Sequence, residues 1–441
     1  MTTIYAPATP PGRSAVAIIR ISGPESKSLF SFFGLPLPTP RIATLATLRN
    51  PETKEILDNA LLFWFPAPRS YTGEDTIELH LHGGRAIREE ILSLLSGISE
   101  FRLAEPGEFS KQAFFNGKMD LLQAEAIADL IEAETSAQKR QALQQMHGDF
   151  SKLCLSLRQR LIEARAHIEA YIDFPDEDLP PDVQKKIEDD LATLENQIQK
   201  LLDDGKRGER IRDGIYGAIL GVPNAGKSSL LNILAKRDVA IVSEQPGTTR
   251  DVIEVHLNIG GYPVILADTA GIRETENIIE AEGIRRARAR GDMADFRIWV
   301  LDNTKPLKNQ LDVAKKLTPD DVLILNKTDI LPQNIGHIPD SNPISLSCIT
   351  QSGVPELIER LKTLIENKFQ ISGNDVALTR ERHRISFEAA LQHIQNSSSV
   401  EQLELKGEEL RRASDEIGKV IGVIHTEDVL DSLFQTFCIG K

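Results

Sequence analysis

The residues Gly221-Val222-Pro223-Asn224-Ala225-Gly226-Lys227-Ser228 fit the pattern GxxxxGK[ST] and stand between an apolar run, 215–220, and a helical one, 230–236. That is the context a phosphate-cradling loop requires. Glycines let backbone N–H groups close around phosphate oxygens, a lysine placed as Lys227 is reaches the β- and γ-phosphates, and a hydroxyl placed as that of Ser228 ligates Mg²⁺ at the positive end of the following helix. Asn224, Ala225, Gly226, Lys227, Ser228 and Ser229 are therefore expected to line a nucleotide. So short a pattern is only moderately specific, and the loops that accompany it decide.

Asp268-Thr269-Ala270-Gly271 follows another apolar run, 264–267. It would set a carboxylate near the Mg²⁺ shell and a glycine N–H where a γ-phosphate is sensed. Asn326-Lys327-Thr328-Asp329 follows a third apolar run, 322–325. An aspartate there accepts both the N1 and N2 hydrogens of guanine, which adenine lacks, and paired buried hydrogen bonds discriminate by about 10⁴-fold. Asp329 is thus the reason to expect GTP and not ATP. Ser347, Cys348 and Ile349 suit a backbone contact to the base. Each loop alone would read as an ordinary turn between strand and helix. Three in the order one nucleotide fold demands point to GTP binding.

Between the first two loops, Gly247-Thr248-Thr249-Arg250-Asp251 suits a switch segment, with Thr249 presented to Mg²⁺. The residue after Gly271 is Ile272, where Ras-like proteins carry the glutamine that orients water. Glu280 could take that part by folding back, although spacing alone favours a solvated glutamate.

The elements that must position these loops are legible in outline. Residues 1–118 alternate β-like runs (16–21, 61–65, 76–81) with turn signals, as in a small α+β domain. Residues 119–210 carry helical periodicity, at Leu122, Ala126, Ile127, Leu130 and Ile131, and again at Leu153, Leu157, Leu161 and Ile168. A Pro-rich acidic break at 175–181 precedes a further helix, 183–202, and 205–214 reads as a linker. Residues 214–370 alternate buried parallel strands (215–220, 264–267, 298–301, 322–325) with helices. Residues 371–441 return to helices, 380–395 and 399–423, and end in Phe437-Cys438-Ile439-Gly440-Lys441. The expected fold class is multidomain α/β plus α: an N-terminal α+β domain, a helical domain, and a Ras-like P-loop G domain with a mostly parallel sheet inserted into it.

A chain of 441 residues exceeds one compact core, in line with several domains. With 41% apolar and 26% charged residues it should fold as an ordinary globular protein. No basic segment followed by an apolar stretch opens the chain, and runs such as 60–65 are far too short to span a bilayer, so no membrane association and a cytoplasmic location are expected. Three scattered cysteines argue against a disulfide framework or a CxxC zinc site. The net charge of −14 disfavours non-specific binding to polyanions, so any RNA contact needs a local basic patch or a partner. His80 and His82 alternate on one strand face, but no third ligand converges and a packing role is favoured. Arg285, Arg286, Arg288 and Arg290 share a helical run with Glu280 and Glu282, which favours a solvated or dimer-facing helix over an RNA patch. Cys438 lies four residues from the end, but a final Lys441 is outside the set that directs prenylation.

Residues 223–231, 247–251 and 268–271, the G domain inserted between helices, the stretch 6–23, Asn116-Gly117-Lys118-Met119-Asp120-Leu121 and the Cys-Ile-Gly-Lys end resemble the MnmE (TrmE) family of tRNA modification GTPases over essentially the whole chain. The resemblance implies joint action with the flavoprotein MnmG (GidA) in a heterotetramer or larger complex. The pair attaches an aminomethyl or carboxymethylaminomethyl group to carbon 5 of a wobble uridine in tRNA. 5-Formyltetrahydrofolate, or a related tetrahydrofolate, is the one-carbon donor. No GxGxxG follows a strand, which agrees with the partner holding the flavin and NADH. The family's folate site maps onto Arg20, Glu78, Lys118 and Lys441. Its first switch maps onto Ser243, Glu244, Gln245, Pro246, Gly247, Thr248 and Thr249. K⁺ replaces an arginine finger when two G domains meet, with Asn224, Ser243, Gln245 and Thr248 as its ligands. The water-orienting glutamate falls on Glu280, Cys438 becomes a candidate functional thiol, and a homodimer through the N-terminal domain is implied. An Era-type ribosome-assembly switch is the competing reading. No KH-like module with a GxxG loop follows the G domain to support it.

Overall fold

The computed structural model describes residues 2–173, 181–237, 239–240, 254–268, 294–306, 310, 317–330, 342–370, 376–424, 430, 433–435, 437 and 439–440, the side chains of 181–184, 186, 205 and 268 excepted. The chain forms two compact units. One comprises 1–128, 146–162 and 414–441; the other comprises 129–145 and 163–413.

In the first unit, β1 (Thr3–Pro7), β2 (Ser14–Ser22), β3 (Thr44–Arg49), β4 (Ile56–Phe65), β5 (Thr76–Gly83) and β6 (Phe101–Leu103) form one sheet. Its order is β3-β4-β5-β2-β1-β6, antiparallel except where β1 meets β6. Alternation along the strands divides the side chains between two faces. Ile19, Ile21, Leu62, Ile77 and Leu79 are buried in a cluster with Leu29 and Phe30 of α1 (Ser28–Phe33) and Ile91 and Leu95 of α2 (Arg85–Ser96). Each such side chain contributes about 1.5–3 kcal/mol by leaving water. Arg20, Glu78 and His80 occupy the alternate positions, with Arg20 opposite Glu78 and Leu61 opposite His80. Helices α3 (Glu108–Phe115) and the start of α4 (Leu121–Glu132) follow, and Leu121 and Ala124 pack with Leu430, Leu433, Phe434 and Phe437.

The second unit contains α5 (Ser136–Met146) up to residue 145, the later part of α6 (Asp149–Asp173), α7 (Pro181–Asp213), and a sheet. The sheet is built from β7 (Ile215–Gly221), β8 (Glu254–Ile259), β9 (Tyr262–Asp268), β10 (Phe296–Asp302), β11 (Asp321–Asn326) and β12 (Ile344–Ser345). Its order is β12-β11-β10-β7-β9-β8, and only the β8–β9 hairpin is antiparallel. Strands covered on both faces read as apolar throughout. Ile219, Val264, Leu266, Ile298, Val300 and Ile324 are accordingly buried with Leu231 of α8 (Lys227–Ala235) and Leu357 and Leu361 of the helix Val354–Phe369.

The linker expected at 205–214 is not one. Helix α7 continues to Asp213 and β7 begins at Ile215. Gly208 within it is helical, and a Cβ there would meet the Leu378 carbonyl oxygen at 2.3 Å, so its use is close approach. The end of α7 is also held by ion pairs. Asp129 accepts from Arg212 Nε at 2.9 Å and from Arg380 Nη2 at 2.6 Å, and Arg210 Nε donates to Asp295 at 2.8 Å.

Candidate nucleotide site

Strand β7 delivers the 221–228 loop directly into the N-terminus of α8, the positive end of the helix dipole. Gly226 precedes α8 with φ 99°, and a Cβ on it would meet Asn326 Nδ2 at 2.2 Å. Glycine is thus required both by conformation and by contact. Asn224 adopts φ 63°, in the left-handed region that asparagine tolerates, and is exposed at the loop tip, while Ala225 is buried. Lys227 curls back over the loop, its ammonium donating to the carbonyls of Gly221 at 3.0 Å and Val222 at 3.1 Å. Ser228 and Ser229 lie exposed in the first helical turn.

Two further loops converge on this one. Asn326 Nδ2 donates to the Ala225 carbonyl at 2.7 Å, and the Cys348 N–H donates to Asn326 Oδ1 at 3.2 Å, so one buried amide joins all three. Ser347 Oγ donates to Asp329 Oδ1 at 2.6 Å and accepts the N–H groups of Ile349 and Thr350, each at 3.2 Å. One carboxylate oxygen of Asp329 is thereby fixed in direction. Lys327, at φ 67°, points its ammonium to Asp302 Oδ2 at 2.7 Å. Burial pushes the Cys348 thiol up, so it is a poor nucleophile here.

Asp268 ends β9 in register with Ile219 of β7, which sets its backbone beside the strand that feeds the phosphate loop. Its side chain lies outside the described residues. So do Ser243, Glu244, Gln245, Pro246, Gly247, Thr248, Thr249, Thr269, Ala270, Gly271, Glu280, Cys438 and Lys441. Sequence reasoning missed Asp302 and Asn303, which support the 326–330 loop from the neighbouring strand. The only signal was a polar Asp-Asn pair closing the apolar run 298–301.

In the first unit, Arg20 and Glu78 are a cross-strand ion pair at 3.0 Å. The Arg20 guanidinium sits 5.3 Å from the centre of the Tyr71 ring and 5.7 Å from that of Phe109, and Nη1 reaches the Gly440 carbonyl at 3.5 Å. His80 Nε2 lies 3.3 Å from Glu78 Oε2, whereas His82 Nδ1 pairs with Asp58 at 2.6 Å. The two histidines thus serve different carboxylates. Lys118 donates to the Pro68 carbonyl at 2.9 Å.

A mostly parallel sheet whose first loop enters a helix as GxxxxGKS, tied by asparagine to an NKTD loop, is the G domain of a GTP hydrolase. Residues 3–118 match the family described as GTP-binding protein TrmE N-terminus, and residues 121–438 match the MnmE helical domain. The chain is 46% identical over 443 residues to the tRNA modification GTPase MnmE of Paramagnetospirillum magneticum, covering 100% of this chain and 99% of that one. It is 45% identical over 454 residues to that of Rhodospirillum rubrum, with the same coverage. The chain belongs to the MnmE family of tRNA modification GTPases. Its fold class is the N-terminal TrmE domain, the helical domain and a G domain with a mostly parallel sheet. The G domain of the T. maritima FeoB iron transporter is 25% identical over 34% of this chain and 98% of that one, at a TM-score of 0.25. No helix among the described residues is long and apolar enough to cross a membrane.

Proposed function

We propose that this chain binds and hydrolyses GTP to drive modification of tRNA, working in the cytoplasm with a flavoprotein of the MnmG (GidA) kind. The pair adds a (carboxymethyl)aminomethyl group to carbon 5 of the wobble uridine, with a tetrahydrofolate such as 5-formyltetrahydrofolate as carbon donor. The observation that carries the nucleotide part is the single buried amide of Asn326, bonded to both the phosphate loop and the 347–349 loop. Lys227 exchanges its loop carbonyls for phosphate oxygens, Asp329 reads the base, and the segments 243–249 and 268–271 sense the γ-phosphate. Ser228 and Thr249 are hard oxygen donors suited to Mg²⁺, which when bound neutralises developing phosphate charge. The exposed left-handed Asn224 supports a K⁺ site shared with Ser243, Gln245 and Thr248, and Glu280 orients water.

Domain limits of 1–118, 119–210, 214–370 and 371–441 are part of this reading. Arg20, Glu78, Lys118 and Lys441 form its folate site, with Cys438 as a nearby thiol. A guanidinium clamped by a carboxylate over an aromatic ring, as in Arg20–Glu78–Tyr71, supports recognition of a planar, hydrogen-bonding heterocycle. A homodimer through the N-terminal sheet is supported by the exposed Leu45, Leu61 and Val16, 72%, 42% and 48% accessible, whose registers put them on the face opposite the buried cluster. The test is mass spectrometry of wobble uridines in tRNA from cells lacking this protein. Loss of the carbon-5 substituent, restored by the wild-type gene, is expected; unchanged uridines would refute the reading.

A further inference from the structure

Asp302, the last residue of β10, is completely shielded from solvent. Its Oδ2 accepts from Lys327 Nζ at 2.7 Å, and its Oδ1 accepts from the Thr304 N–H at 2.9 Å and Thr304 Oγ1 at 2.6 Å. A buried carboxylate persists only when paired and hydrogen-bonded in this way. Burial pushes its carboxyl up, but the bonds from Lys327 and Thr304 outweigh that and hold it below the usual carboxylate range.

Asp302 is itself clamped. Its N–H donates to Gln310 Oε1 at 2.8 Å and its carbonyl accepts from Gln310 Nε2 at 3.0 Å, with Gln310 also buried. The next residue, Asn303, donates its N–H to the Asn326 carbonyl at 2.9 Å and its Nδ2 to the Ile330 carbonyl at 3.3 Å. The end of β10 therefore brackets the whole 326–330 loop. Parallel pairing of Asp302 with Asn326 is what brings the two strand ends side by side.

We propose that Asp302 is a positioning residue for guanine-nucleotide recognition. It holds the Lys327 ammonium before the nucleotide arrives, so the stem of Lys327 stands as one wall of the base pocket two residues from Asp329. A lysine left untethered would lose rotamer freedom on binding, and pre-ordering removes that cost. The proposal rests on the guanine-site reading above. Because GTP and GDP share the base, both gain equally.

The experiment uses the full chain, measuring affinity for fluorescent GTP and GDP, hydrolysis at saturating GTP, and thermal midpoints for the parent, D302N, K327M and D302N/K327M. D302N should weaken GTP and GDP alike by about 10-fold while the saturated rate changes by less than about 2-fold. In the K327M background it should weaken neither further, and the double variant should melt above K327M, in which a buried carboxylate has lost its partner. If D302N alone does not fold, K327M against the double variant decides. Equal affinities with a higher midpoint support the proposal, and affinity in the double variant lower by more than about 2-fold overturns it. A folded D302N that binds like the parent, while K327M binds weakly, overturns the proposal alone. K327M binding like the parent overturns the guanine-site reading with it.

Discussion

Ser347 donates to one oxygen of Asp329 and so aims the other, which is the geometry a base-reading carboxylate needs. Asp329→Asn replaces an acceptor with a donor facing the base. Affinity for GTP should fall by about 10- to 100-fold, the range expected when a buried polar group loses its partner, and xanthosine triphosphate should bind better than GTP. Competition titrations check this, and an unaltered guanine preference would refute the assignment of Asp329. At this scale much was readable in advance. The phosphate loop is contiguous, so its glycines, Lys227 and Ser228 declare themselves in one stretch. Asp302 did not, because its role arises only when β10 and β11 lie in register.

Among the elements, the passage from α7 to β7 is the place where order in the chain misled. Glycines at 205, 208 and 214 look like a linker, yet α7 runs through the first two, and Gly208 serves a close approach to Leu378. The join is fastened by Asp295, which accepts from Arg210 at 2.8 Å and from the Tyr216 N–H at 2.8 Å. Burial nevertheless lifts the Asp295 carboxyl above its ordinary value, the bonds offsetting this only in part. The folded state thus holds this proton more tightly than the unfolded chain does. Stability from this group is fully present below its unfolded value of about 3.9 and declines as pH rises through the raised value. Asp295→Asn should therefore gain stability relative to the parent as pH rises above about 4. Thermal midpoints of both proteins across that range test it, and a parallel pH dependence would refute the assignment.

For the whole molecule, the missing glutamine after Gly271 and the exposed Asn224 bear on how hydrolysis is achieved. If a monovalent cation enters between two G domains, replacing K⁺ with Na⁺ should slow GTP hydrolysis by about 10-fold or more, on the scale of losing one charge-stabilising donor. The rate per molecule in K⁺ should also rise with protein concentration. Equal rates in the two salts would remove Asn224 from a cation site.

Residue order alone carried the nucleotide chemistry, the parallel character of the sheet that presents it and the family resemblance, because local motifs and buried apolar runs need no distant partner to be read. Tertiary structure decided what depends on strand register and on helices meeting. Arg20 finds Glu78 across β2 and β5, and Asn326 ties the phosphate loop to Cys348. Asp302 captures Lys327 because two parallel strands end side by side. These pairings join residues far apart in sequence, and only the sheet's registers bring their short-range hydrogen bonds within reach.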